Sequence, residues 1–171
     1  GRVSLNPLVL LDLIGTLALF LIGIGWAKPT PVNPSYFRHR WADLCVSAAG
    51  PVSNLLLALA AGVLLRIPIL FQAFHVIGAD VWVGVALAMF IYTNLLFAFF
   101  NVLPLPPLDG SHVLEQLLPA RPAASLRQFY RSVGSWLLIG LIISERLLPI
   151  SLLSPLVYQP TRFLSALLIP A

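Results

Sequence analysis

Residues 81–103 read Val-Trp-Val-Gly-Val-Ala-Leu-Ala-Met-Phe-Ile-Tyr-Thr-Asn-Leu-Leu-Phe-Ala-Phe-Phe-Asn-Val-Leu. No acidic or basic side chain interrupts this run. A helix of about 20 apolar residues crosses the roughly 30 Å hydrocarbon layer of a bilayer, so the stretch is long enough to span one. Residues 44–65 are equally free of acidic and basic groups, inside an apolar stretch 44–67. In lipid each backbone polar group must be satisfied within the protein, which makes helices the natural state of both stretches. The fold expected is an all-α integral membrane protein built on a helical hairpin of 44–67 and 81–103.

The rest of the 171-residue chain supports this class. Hydrophobic residues make up 59% and charged residues 9%, against about 45–50% and about 25% in soluble domains. A single membrane domain over 1–171 with about three to four hydrophobic segments is expected. Two stretches are less regular. Residues 8–26 carry Asp12 with Gly15, Gly23 and Gly25, which suits a segment that dips into the membrane and returns. Residues 133–158 contain Glu145-Arg146, Pro149 and Pro155 and are expected to be broken. Lys28, Arg38 and Arg40 precede the hairpin, and Arg121, Arg127 and Arg131 follow it, whereas the link inside it holds Arg66 against Asp80. The positive-inside rule then puts both outer links in the cytoplasm.

Several classes are excluded or unsupported. The net charge is +4, but the ten basic residues are scattered, so there is no nucleic-acid footprint. No glycine-rich phosphate loop is present, and no ladder of intramembrane charges marks a transporter. Cys45 is the only cysteine; it allows no intrachain disulfide and is expected to be a packing residue. Gly1-Arg2-Val3-Ser4 has neither the charged start nor the cleavage site of a signal peptide, so more chain is expected upstream.

Chemistry concentrates where the second span ends, at Phe99-Phe100-Asn101-Val102-Leu103-Pro104-Leu105-Pro106-Pro107-Leu108-Asp109-Gly110. The prolines stop the helix and free carbonyls, and Asp109 follows at the edge of the apolar layer, where a carboxylate marks a site or a pair. The residues alone leave two roles open for it: an oxygen ligand for a cation such as zinc, or the cap of a helix from Gly110 to Leu118. His39, His75 and His112 are far apart in sequence, and His112 is read as a polar interface contact. Asn54 and Asn94 read as amides tying helices together, with Asn101 divided between that role and a site. Phe97, Phe99 and Phe100 with Trp26, Trp41 and Trp82 suit an interfacial belt and lipid contact. Asp12 is read as a partner for Arg38 or Arg40, or as a cap.

Asn101-x-x-Pro104-x-x-x-x-Asp109-Gly110 resembles the signature of the site-2 proteases, intramembrane zinc metalloproteases. Ala49-Gly50-Pro51-Val52-Ser53-Asn54 is similar to that family's Ala-Gly-Pro-x-x-Asn block. Gly25 to Pro34, Leu5-Asn6-Pro7 and Asp12-x-x-Gly15-Thr16 resemble its short-core bacterial branch, so the likeness runs from about Arg2 to Pro119. The resemblance implies that Asp109 is a zinc ligand and that Asn101 holds substrate or stabilises the oxyanion. It also implies two further ligands and a general base from a His-Glu-x-x-His helix, which is not in this sequence and is expected upstream. Ser111 stands where the pattern usually has a second glycine. The function implied is hydrolysis of peptide bonds in transmembrane segments, in a bacterial cytoplasmic membrane. Zn2+ is expected in the complete protein, and this chain alone is expected to be inactive and zinc-free. The alternative is a non-catalytic subunit of a larger membrane complex. Lipid, and a transmembrane substrate or other membrane subunits, are the partners implied.

Overall fold

The computed structural model describes residues 41–68, 72, 75, 78, 80–147 and 151–170. The chain divides into two compact units, Gly1–Arg38 and His39–Ala171, and every described residue belongs to the second. The expected re-entrant segment 8–26 and the pairing of Asp12 lie outside the described residues.

Every regular element among the described residues is helical. They are α1 (Ala42–Leu64), α2 (Asp80–Val102), α3 (Asp109–Leu117), α4 (Ala120–Leu147), a π-helical turn (Ser154–Tyr158) and α5 (Gln159–Leu168). Helices α1 and α2 are long and apolar enough to cross a membrane.

The hairpin is joined along a narrow seam. Ala58 and Ala61 on α1 meet Ile91 and Leu95 on α2, and all four are buried. The spacings of three and four residues place each pair on one helix face, and the two alanines are small enough for the helices to approach closely. The opposite faces stay uncovered. Leu56, Leu59 and Val63 on α1, and Met89 and Trp82 on α2, are exposed, Trp82 to 76%. An apolar surface of this extent is stable only against lipid or another apolar partner. Cys45 belongs to that outward surface; it is not the packing residue expected.

Helix α5 closes over the far end of the seam, with Leu164, Leu168 and Ile169 against the cluster. Gly62 leaves room for this, since a Cβ there would lie 3.1 Å from Leu168 Cδ2. Arg66 fixes the end of α5: its guanidinium donates to the carbonyls of Leu167 at 2.6 Å, Leu168 at 2.5 Å and Gly62 at 3.0 Å. These satisfy carbonyls that a helix end leaves open and set a positive charge at the negative end of its dipole. Arg66→Gln is expected to cost about 1 kcal/mol and to speed amide exchange across α5 in micelles while leaving the α1–α2 seam protected. Unchanged exchange in α5 would show that this cap does not hold the helix down.

A second cluster of Leu103, Leu108, Leu153 and Val157 packs with Leu96, Phe99 and Phe100. Phe99 and Phe100 therefore face inward instead of joining the lipid belt, because positions 96, 99 and 100 share the helix face that meets the returning chain. Phe97 points the other way and is 52% exposed. Glu145 and Arg146 do not interrupt α4, which runs on to Leu147. Glu145 accepts hydrogen bonds from the Ser151 hydroxyl and the Leu153 amide, both at 2.7 Å, so this acid ties down the chain's return after the helix instead of breaking it.

Candidate metal-ligand site

Pro104, Pro106 and Pro107 end α2 as their missing N–H groups require, and short turns replace the helix. Leu105 N donates to Leu103 O at 2.8 Å and Leu108 N to Leu105 O at 2.9 Å. The freed Pro104 carbonyl is taken by the Tyr130 hydroxyl of α4 at 2.5 Å, a contact nothing in the sequence signals. Helix α3 starts immediately after, folded tightly onto the end of α2. A Cβ on Gly110 would collide with the carbonyl groups of Val102 and Leu103. Ser111, in place of a second glycine, is buried and donates to Leu108 O at 2.7 Å, so the turn is tight without that glycine.

Asp109 occupies the first turn of α3, and the cap position itself is Leu108, with no side-chain capping bond. Among the described residues neither Asp109 oxygen has a hydrogen-bond partner. The carboxyl is half-buried, and desolvation raises its pKa above the usual aspartate range, with the nearby His112 pulling it partly back. Its oxygens keep some contact with solvent, but the partial desolvation of the charged form means that the group gains from a bound cation or a proton.

Helix α1 completes the surroundings. A Cβ on Gly50 would lie 2.6 Å from Asp109 Oδ2, so the Ala49–Asn54 block presses its glycine onto the carboxylate. Asn54, one turn further along α1, and Asn101, at the end of α2, are also half-buried and without hydrogen-bond partners among the described residues. Asn94 differs. Its amide donates to Phe90 O of its own helix at 2.9 Å, so it bonds its own backbone instead of tying two helices together. Helix α3 is held on both sides, by Gln116 Nε2 donating to Asp43 Oδ2 at 2.6 Å and by Arg127 Nε against Glu115 Oε2 at 3.1 Å. A cavity of about 460 Å³ lies between α3, α4 and the start of α1, lined among others by Asp43, His112, Glu115, Arg127, Tyr130 and Arg131.

Among the described residues no three His, Cys, Asp or Glu side chains come close enough to hold a metal. A catalytic zinc takes about three protein ligands, and Asp109 fits one such place: an unpartnered anionic oxygen at a broken helix end.

The model of Peptidase family M50 matches residues 75–143, a range that contains both Asn101 and Asp109. The chain is similar to this family, the site-2 proteases. It is 40% identical over 129 residues to "Putative zinc metalloprotease YwhC" of Bacillus subtilis (strain 168), an overlap of 75% of this chain and 59% of the relative. The chain thus spans about three fifths of that relative's length. No solved structure matches it at a significant level. The zinc metalloprotease family that it resembles implies Zn2+ in the complete protein.

The contact at Gly50 limits where the Asp109 carboxylate can lie. Should the complete protein cleave peptide bonds, Gly50→Ala is expected to displace that carboxylate and to lower the rate by about 100-fold, the scale for a misplacement of about 1 Å, with little change in melting temperature. The check is a rate measurement on the complete protein; a wild-type rate would show that the carboxylate moves aside at no cost.

Proposed function

We propose that this chain is part of an intramembrane zinc protease that hydrolyses peptide bonds in the transmembrane segments of partner proteins. One observation carries the reading: the half-buried, unpartnered Asp109 carboxylate, held close against Gly50 inside the Asn-x-x-Pro-x-x-x-x-Asp-Gly arrangement. Asp109 would supply one anionic oxygen ligand. When bound, zinc supplies Lewis acidity and lowers the pKa of the water it holds. Asn101, its amide without a partner among the described residues, would hold the substrate backbone or the oxyanion. The irregular backbone from Leu103 to Leu108 supports this use, since such backbone at membrane depth needs protein or water around it. The end of the hairpin where α1 begins and α2 ends faces the cytoplasm on this reading, because Arg121, Arg127 and Arg131 lie there. The membrane would be the cytoplasmic membrane of a bacterium.

The test is metal content and turnover of the complete protein in proteoliposomes. One zinc per chain is expected, together with cleavage of a transmembrane segment that stops on chelation and returns with zinc. Protein that carries no stoichiometric zinc and leaves such segments intact would fit a non-catalytic membrane subunit instead.

A further inference from the structure

We propose that the cavity beside α3 binds the headgroup of a membrane phospholipid carrying both a phosphate and a primary ammonium, as in phosphatidylethanolamine. The phosphate would lie against Arg127 and Arg131, and the ammonium against Asp43 and Glu115. Asp109 is not among the residues that line this cavity, although its neighbours Ser111 and His112 are, and the lipid contacts proposed use none of the three.

The charges of the two walls are opposite. The α4 wall carries Arg127 and Arg131 one helical turn apart, both lining the cavity. Like charges at this spacing repel. Arg127 engages Glu115 only through Nε, so its terminal amino groups have no partner among the described residues. Arg131 has none at all among them. Two free guanidinium forks on one cavity suit a phosphate, which each can meet with paired N–H donors. The wall from α1 and α3 is acidic. Asp43 Oδ2 accepts from Gln116, leaving Oδ1 free for another donor, and Glu115 lies on the same side. Glu115 is already paired with Arg127, so a simple anion would leave the charge of Asp43 met only by the neutral Gln116 amide, whereas the ammonium of a zwitterion meets it as well.

Position and size favour a lipid over a soluble ligand. The cavity lies at the end of the hairpin where one candidate span starts and the other stops, the level at which headgroups sit. Trp41 and Phe129, close to it in sequence, are 47% and 50% exposed, as aromatic side chains are at a membrane interface. Its volume of about 460 Å³ falls within the range of about 300–1,000 Å³ for small-molecule sites, and the apolar flanks of α1 and α4 beside it offer a path for acyl chains.

The test uses the complete protein, delipidated and exchanged into nanodiscs of phosphatidylcholine with added phosphatidylethanolamine or phosphatidylglycerol, with retained lipid counted by native mass spectrometry. One phosphatidylethanolamine per chain is expected, kept in preference to the other two lipids. Arg131→Gln should weaken retention by at least about tenfold, the scale of one lost charged hydrogen bond. Arg131→Lys, which keeps the charge and is a safer variant for folding, should lose part of it. Asp43→Asn keeps an oxygen for Gln116 and removes the charge, so it should abolish the preference for phosphatidylethanolamine over phosphatidylglycerol. Equal retention of all three lipids, or retention unaffected by these variants, would overturn the proposal. Displacement of the lipid by inorganic phosphate would reassign the cavity to free anions. Displacement by a soluble peptide from the cytoplasmic flank of a substrate would reassign it to the peptide.

Discussion

Asp109→Asn in the complete protein is expected to lower zinc affinity by more than about 100-fold and to abolish proteolysis, while the fold remains intact. Loss of a group that merely orients a metal ligand costs about 10–100-fold, so loss of an anionic ligand should exceed that. The structure also separates this outcome from a capping role. Asp109 makes no capping bond, so neither Asp109→Asn nor Asp109→Ala should cost the roughly 1 kcal/mol of a lost cap. The pH dependence gives an independent check on the metal-free protein. Because burial holds the folded pKa above the unfolded one, the folded state favours the protonated form. The stability this confers is complete below about pH 4, near the unfolded value, and is lost as pH rises through the folded pKa. An asparagine has no charge to desolvate. At neutral pH the metal-free Asp109→Asn protein should therefore melt at or above the wild type, with the advantage gone in acid. A variant that keeps zinc and cleaves at the normal rate would end the ligand assignment.

Gly110→Ala should be far more damaging to folding. Its Cβ would fall onto the backbone carbonyls of Val102 and Leu103, and these atoms cannot rotate away as a side chain can. Relief requires moving either the end of α2 or the whole of α3, which breaks the cluster of Leu103 and Leu108 with Leu153 and Val157. A loss of about 3 kcal/mol or more is expected, at the upper end for overpacking. Gly140 is the control. It lies inside α4 with nothing within 4 Å of its Cβ position, so Gly140→Ala should be neutral or stabilising by up to about 1 kcal/mol. Melting temperatures in detergent compare the two; similar values for both variants would mean that the α2–α3 junction yields to the added methyl group.

The spans were legible because lipid enforces a simple rule on composition, and α1 and α2 lie within a few residues of the stretches 44–67 and 81–103. The proline break was legible too, since ring closure acts locally. What the sequence could not show was direction. Phe97, Phe99 and Phe100 are chemically alike, and only the returning chain at Val157 decides which two turn inward. Glu145 looked like an interruption because its partners, Ser151 and Leu153, lie past the end of the helix. Gly50 offered a faint signal, a small residue in a run of small residues, but nothing in that run names Asp109 as the neighbour for which space is kept.

The narrow seam of the hairpin has a consequence for how such a chain can change over time. Ala58, Ala61, Ile91 and Leu95 are constrained by one another, whereas the outward positions of α1 and α2 ask only for an oily side chain. Leucine, isoleucine, valine and phenylalanine are nearly interchangeable there, so substitutions can accumulate along most of both helices without selection against them. Ancestry would then fade first from the longest elements of the fold. It would persist in the short irregular places, around Gly50 and from Asn101 to Gly110, where a single methyl group is already too much.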